Sequence, residues 1–208
     1  MNDEPIFTST GQALAVAFLV MAHEPRQGSP FRKAILQIME SLETMTKSQQ
    51  AWFDQLQGVR SASSTINFGG LTSDEIRAQC SMITQTVYDH LPDPERFAVL
   101  ARFAYQVEKA QGVAGLAEYV RPSIRITDQI AIRALVYGHT TPKQREKGLS
   151  YTEISRERGI PVITLRRTAA VIAKTTRLLE DMAIERLTPM FARDGVVPKQ
   201  EEPCAETT

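Results

Sequence analysis

The chain predicts an all-α protein, and three observations carry that prediction. Helix-start signatures recur along it: Thr46 with Gln49, Thr72 with Glu75 and Ser150 with Glu153 each have the capping-box spacing, which satisfies two orphan backbone donors at a helix start. Apolar residues between these marks return every three or four positions, as one face of a helix requires. Strand-type alternation is scarce. The expected organisation is an N-terminal helical region at 1–58, a flexible linker at 59–70, a helical domain at 71–190 and a disordered tail at 191–208.

The elements follow in order. Thr8, Ser9 and Thr10 precede a first helix over Gly11–His23, apolar on most sides and therefore buried. Its apolar run Ala13–Ala22 follows Asp3 and Glu4 rather than basic residues, unlike a secretion signal, and is too short to span a bilayer. After Pro25 and Gly28, Ser29-Pro30 restarts a helix with Phe31, Ile35, Ile38, Met39 and Leu42 on one face. Thr46 opens a third stretch with Trp52, Phe53 and Leu56 before Gly58. Those two stretches are one bent element or a helical hairpin. Residues 59–70, VRSASSTINFGG, lack helical period and are rich in Ser and Gly, the composition of a mobile linker.

Thr72 starts the next helix, which runs to His90 with Ile76, Cys80, Ile83, Val87 and Leu91 on one face. Asp93 caps a helix that carries Phe97, Leu100, Ala101 and Ala104 and ends near Val107. Gly112 and Gly115 weaken the following stretch, Val113–Val120, which Arg121-Pro122 closes. Thr127 caps a helix over Asp128–Tyr137 with Ile130, Ala134 and Leu135 inward and Gly138 just past its end. The last long helix continues to Leu187, before Pro189 and a polar tail with almost nothing to bury.

The segment Gly148–Leu179 reads as a helix-turn-helix within residues 150–187. Ser150 starts a helix at Tyr151, and Gly159 ends it in the left-handed conformation that glycine enters without steric cost. Pro161 then opens a longer helix, where its missing N–H is no loss. Ile154, Ile160 and Leu165 pack inward. Val162, Ile163, Arg166, Arg167 and Ala170 face outward, positioned for a DNA major groove, with Arg166 or Arg167 reaching guanine or gripping phosphate. Thr152, Ser155, Thr164 and Lys174 complete the candidate set as phosphate contacts. Val162 and Ile163 could instead touch thymine methyls or dock on a protein. On the same helix, Leu165, Ala169, Ile172, Thr176, Leu179 and Ala183 form either a homodimer seam within 165–187 or an inward stripe that folds back on Ile130 and Leu135.

Charge agrees with a polyanion partner only locally. The whole chain balances 24 basic against 24 acidic residues. Within Lys143–Arg177, however, nine basic residues (Lys143, Arg145, Lys147, Arg156, Arg158, Arg166, Arg167, Lys174, Arg177) face three acidic ones (Glu146, Glu153, Glu157), a net of +6. Catalytic signatures are missing: no glycine-rich phosphate loop, no HExxH and no paired-cysteine metal spacing occur. His23, His90 and His139 are scattered, and Cys80 lies on an apolar stripe. With Cys80 and Cys204 so far apart, no disulfide framework is expected, which together with the missing signal predicts a cytoplasmic protein. The sequence therefore predicts no enzyme, no cofactor and no membrane partner.

The segment Ala134–Leu179 resembles region four of bacterial sigma factors. The matching features are Tyr137-Gly138 at a helix end, Leu149-Ser150-Tyr151, Glu153-Ile154, Gly159-Ile160, Thr164-Leu165 and the Arg166-Arg167 pair. A similar hairpin occurs in phage late-gene antitermination proteins of the Q type, which act on RNA polymerase and its promoter DNA. The loop Thr140–Lys147 is longer than in that family, and Pro161 stands where Ser or Thr is usual. The resemblance spans about 45 of the 208 residues. It implies a sequence-specific DNA-binding transcription regulator of phage origin, an antiterminator or late-gene regulator, with double-stranded DNA and RNA polymerase as partners. The alternatives are a phage DNA-packaging or structural adaptor protein, and a protein-docking module without affinity for free DNA.

Overall fold

A computed structural model describes residues 5–23, 68, 71, 73–141 and 150–199. Among them are seven α-helices and no strand, so the all-α expectation holds. They are α1 (Thr10–Met21), α2 (Ser73–His90), α3 (Asp93–Phe103), α4 (Gln106–Val120), α5 (Gln129–Thr140), α6 (Tyr151–Arg158) and α7 (Val162–Arg193), with a short 3₁₀ turn at Arg121–Ser123. The proposed helices within 29–58 and the cap Thr72 lie outside the described residues.

Two apolar clusters hold these helices. One joins α1, α2, the Val99–Leu100 side of α3 and the C-terminal end of α7, through Leu14, Phe18, Cys80, Val87, Leu187 and Phe191. The other joins the opposite side of α3, at Ala98 and Ala101, to α4, α5, α6 and the first half of α7. Both α3 and α7 contribute to both clusters. The 32 residues of α7 span about 48 Å at the α-helical rise, long enough to run from one cluster to the other.

Several boundaries differ from expectation, each for a packing reason. The first helix does not stand apart from the domain at 71–190, because it shares the first cluster with α2, α3 and α7. Within the expected linker, Phe68 is packed edge-on against Phe7, ring centres 5.8 Å apart; the other residues of 59–70 lie outside the described residues. Of the expected tail at 191–208, residues 191–199 are ordered, and 200–208 lie outside the described residues. Helix α7 continues through Pro189 to Arg193, Phe191, Val196 and Val197 are buried, and the Phe7 N–H donates to the Val196 carbonyl at 3.0 Å. Three apolar side chains were enough to order a segment whose composition is otherwise polar.

The helix from Asp93 ends at Phe103 rather than Val107, and α4 already begins at Gln106, whose φ of +47° turns the chain sharply between the two. Helix α4 runs straight through Gly112 and Gly115. A Cβ on Gly112 would sit 2.8 Å from the Leu100 Cβ, and one on Gly115 would sit 2.6 Å from a Phe97 ring carbon. Here the glycines set the close approach of α3 and α4 instead of weakening a helix. In α5 the cap is Asp128, whose carboxylate accepts from the Ala131 N–H at 2.8 Å, and not Thr127. That register turns Ile130 outward, 57% exposed, and places Ala131, Ile132, Leu135, Val136 and Gly138 inside. Gly138 is thus a buried helical residue rather than a terminator.

Candidate nucleic-acid interface

The helix-turn-helix forms as its local chemistry dictates. At the start of α6 the Ser150 Oγ accepts from the Glu153 N–H at 3.3 Å, and the Ser150 N–H donates to Glu153 Oε2 at 3.0 Å, closing the capping box. The Ser150 backbone N–H, then its hydroxyl, hold the Glu153 carboxyl below its ordinary pKa. At the other end Gly159 has φ +67° and ψ +17°, and its N–H closes the last turn on the Ser155 carbonyl at 2.9 Å. Pro161 is the N-cap of α7, its carbonyl accepting from Thr164 and Leu165 N–H groups at 2.9 and 3.1 Å.

The hairpin is seated by three side chains. Ile154 and Leu165 are buried, Ile160 packs partly buried beside them, and all three meet Ile132, Leu135 and Val136 of α5 in the second cluster. This leaves the predicted site residues on or near the surface. Thr152, Ile163, Arg166, Arg167, Ala170 and Lys174 are exposed, while Ser155, Val162 and Thr164 are half-buried. The two halves of the candidate set therefore lie on α6 and on the first four turns of α7, brought together across the turn at Gly159–Pro161.

Electrostatically the described hairpin carries six basic residues (Arg156, Arg158, Arg166, Arg167, Lys174, Arg177) against Glu153 and Glu157, a net of +4 over 150–177. All six are exposed. The ion pairs among the described residues lie elsewhere, at Arg96, Arg102, Arg121, Arg186 and Arg193. The hairpin cations thus have no carboxylate partner within 4 Å among the described residues, and they present charge to solvent on a rigid scaffold. Arg156, Arg158 and Arg177 belong to this surface as much as the residues singled out from the motif; only the local charge count signalled them. Lys143, Arg145 and Lys147 lie outside the described residues.

The homodimer seam expected at Leu165, Ala169, Ile172, Thr176, Leu179 and Ala183 is corrected by burial. Each of these side chains is buried within the chain, packed in the core clusters or, for Thr176, fully enclosed. A stripe already covered intramolecularly has no apolar area left to give a second copy. The fold-back reading holds at Leu135, which shares its cluster with Leu165, and fails at Ile130, which points outward.

Elsewhere, Cys80 is fully buried on α2, and desolvation pushes its thiol up to about 11 against the smaller pull of Arg77, so it sits as an inert core side chain. Among the described residues no group of three His, Cys, Asp or Glu side chains is placed to hold a metal ion, and no helix is long and apolar enough to cross a membrane. No protein-family model matches the chain, and no curated protein matches it.

Proposed function

We propose that the chain is a DNA-binding transcription regulator that uses the α6–α7 hairpin on double-stranded DNA. One observation carries the reading: six exposed cations without carboxylate partners among the described residues are arrayed on a helix-turn-helix whose own core is complete. Phosphate neutralisation needs such unpaired charge, and a second helix with a free N-terminal turn has the shape that enters a major groove. Arg166, at the exposed start of α7, is the best-placed base reader, with Thr152, Ser155, Thr164 and Arg158 toward the backbone. The resemblance to sigma region four and to Q-type antitermination proteins supports a regulator that works with RNA polymerase, as a phage late-gene factor.

A second reading rests on Ile163, which is 59% exposed in the opening turn of α7, where a groove reader usually carries a polar side chain. On that reading the same surface docks on a protein such as RNA polymerase, without affinity for free DNA.

Fluorescence anisotropy with duplex DNA from around the encoding gene separates the two. If the hairpin neutralises six or more phosphates, affinity falls roughly 10³-fold between about 50 and 200 mM salt. Arg158→Gln/Arg166→Gln should weaken binding and flatten the salt slope by about two. A wild-type chain that ignores DNA at low salt ends the DNA reading and leaves the docking one.

A further inference from the structure

We infer that Ile163 selects thymine in the DNA target, by covering the 5-methyl group that marks this base in the major groove. The inference rests on the DNA reading and names what the hairpin prefers within DNA. Ile163 is the second residue of α7, is 59% exposed and belongs to neither apolar cluster. Leu165 and Ile172 are buried in the second cluster, and helical geometry sets them about 180–200° round α7 from Ile163. Ile163 therefore points straight away from the core, in the opening turn that a helix-turn-helix presents to base edges.

Its neighbours on this face say what covers it. Ala170, two turns on, returns to within about 20° of Ile163 and is exposed. Arg166 and Arg167 stand on opposite sides of that line, about 60° and 40° from Ile163, and Lys174 closes it one turn beyond Ala170. None of these three cations is in an ion pair among the described residues. The face is thus an apolar line one side chain wide, edged by unpaired positive charge. A protein dock needs a broad apolar centre with charge kept to its rim, and this line is too narrow for that. A major groove meets both demands. Arg166, Arg167 and Lys174 find guanine O6 and N7 or phosphate, and the apolar line finds the thymine methyl, the apolar mark among the base edges there. The short side chain of Ala170 keeps the face low, so the helix can come down far enough for Ile163 to reach that methyl. An isoleucine in place of the usual polar reader is then a choice of base.

The test uses the full chain and a duplex that it selects from a random pool, synthesised once with thymine and once with uracil, which lacks only the methyl. The phosphates are the same in both, so the salt dependence of binding should not change. The wild type is expected to bind the uracil duplex about fourfold more weakly, the worth of one buried methyl. Ile163→Ser should bind the two duplexes alike, and Ile163→Val should keep most of the discrimination. Because position 163 is exposed and outside both clusters, cooperative thermal unfolding should survive in each variant. A wild type that binds both duplexes equally overturns the inference and leaves the DNA reading standing. So does a loss on uracil that is as large in Ile163→Ser as in the wild type, since the methyl then acts through the shape of the duplex. A chain that selects no duplex ends the DNA reading, and this inference with it, and turns Ile163 over to protein docking.

Discussion

Arg186 of α7 holds the buried carboxylate of Glu95 through two hydrogen bonds, Nε to Oε2 at 2.9 Å and Nη2 to Oε1 at 3.1 Å. Farther along the same antiparallel pair of helices the roles reverse, and Arg102 of α3 reaches Glu180 of α7 at 2.7 Å. The two pairs tie together the two helices that contribute to both apolar clusters, and so fix the distance between the hairpin end of the molecule and the end that holds α1. Because Glu95 is 3% exposed, losing its partner strands a carboxylate out of water, whereas losing both charges removes that cost.

That asymmetry gives the first prediction. Arg186→Met should lower the melting temperature by several degrees, and Glu95→Leu/Arg186→Met should recover most of the loss. Thermal unfolding followed by circular dichroism reads both. If the double variant is less stable than the single, the pair contributes net stability and the desolvation argument is wrong.

Gly112 and Gly115 are both tight against α3, but what they touch differs. An added methyl at Gly112 meets the backbone of α3 at Leu100–Ala101, which cannot move without shifting the helix. At Gly115 it meets the root of the Phe97 ring, which packs against the second cluster and clears only by a change of side-chain rotamer. Gly112→Ala should therefore cost about 2–3 kcal/mol, and Gly115→Ala about 1–2 kcal/mol, in urea unfolding. Equal costs would show that α3 and α4 separate freely and that the glycines are there for another reason.

Gly159 has open space around its Cα, so its role is conformational alone. Gly159→Ala places a β-carbon at φ +67° and should destabilise the protein by about 1–2 kcal/mol, with Gly159→Asn costing less because asparagine tolerates the left-handed region. If the hairpin is the DNA-contacting unit, DNA affinity should fall with the alanine variant as α6 tilts away from α7. Unchanged stability in Gly159→Ala would mean that the turn adopts another conformation in solution.

The hairpin was legible because its signals are local: Ser150 with Glu153, Gly159 and Pro161 each act within one turn, and their conformations follow from their own chemistry. What misled were positions decided at a distance. Ile130 looked inward by period, yet the cap at Asp128 and the packing of Ala131 and Ile132 set a register that turns it out. Pro189 and the polar residues after it suggested an end to order, since nothing local reveals that Phe191, Val196 and Val197 find Phe7 nearly the whole chain length away. The apolar stripe of α7 was visible as a stripe, but whether its cover is this chain or another depends on α3 and α5, which the helix itself does not encode. The same limit applies to Gly112 and Gly115, where helix propensity weighed less than the approach of a neighbouring helix.

Glu180 carries the last prediction. Its Oε2 bonds Arg102, but its Oε1 is buried without a partner, as is the Thr176 hydroxyl one turn earlier. Burial raises the Glu180 carboxyl above its ordinary 4.5, and the opposing pull of Arg102 is the smaller effect. The folded chain thus binds this proton more tightly than the unfolded chain does. The stability that proton contributes is present in full below about pH 4.5 and is lost as pH rises through the raised value. Glu180→Gln keeps the shape and an acceptor for Arg102 while removing the titration. Its stability relative to wild type should improve steadily from pH 4 toward pH 7, as read from urea midpoints across that range. If the two curves stay parallel, Glu180 titrates alike in both states and its buried oxygen is solvated by a route the packing does not reveal.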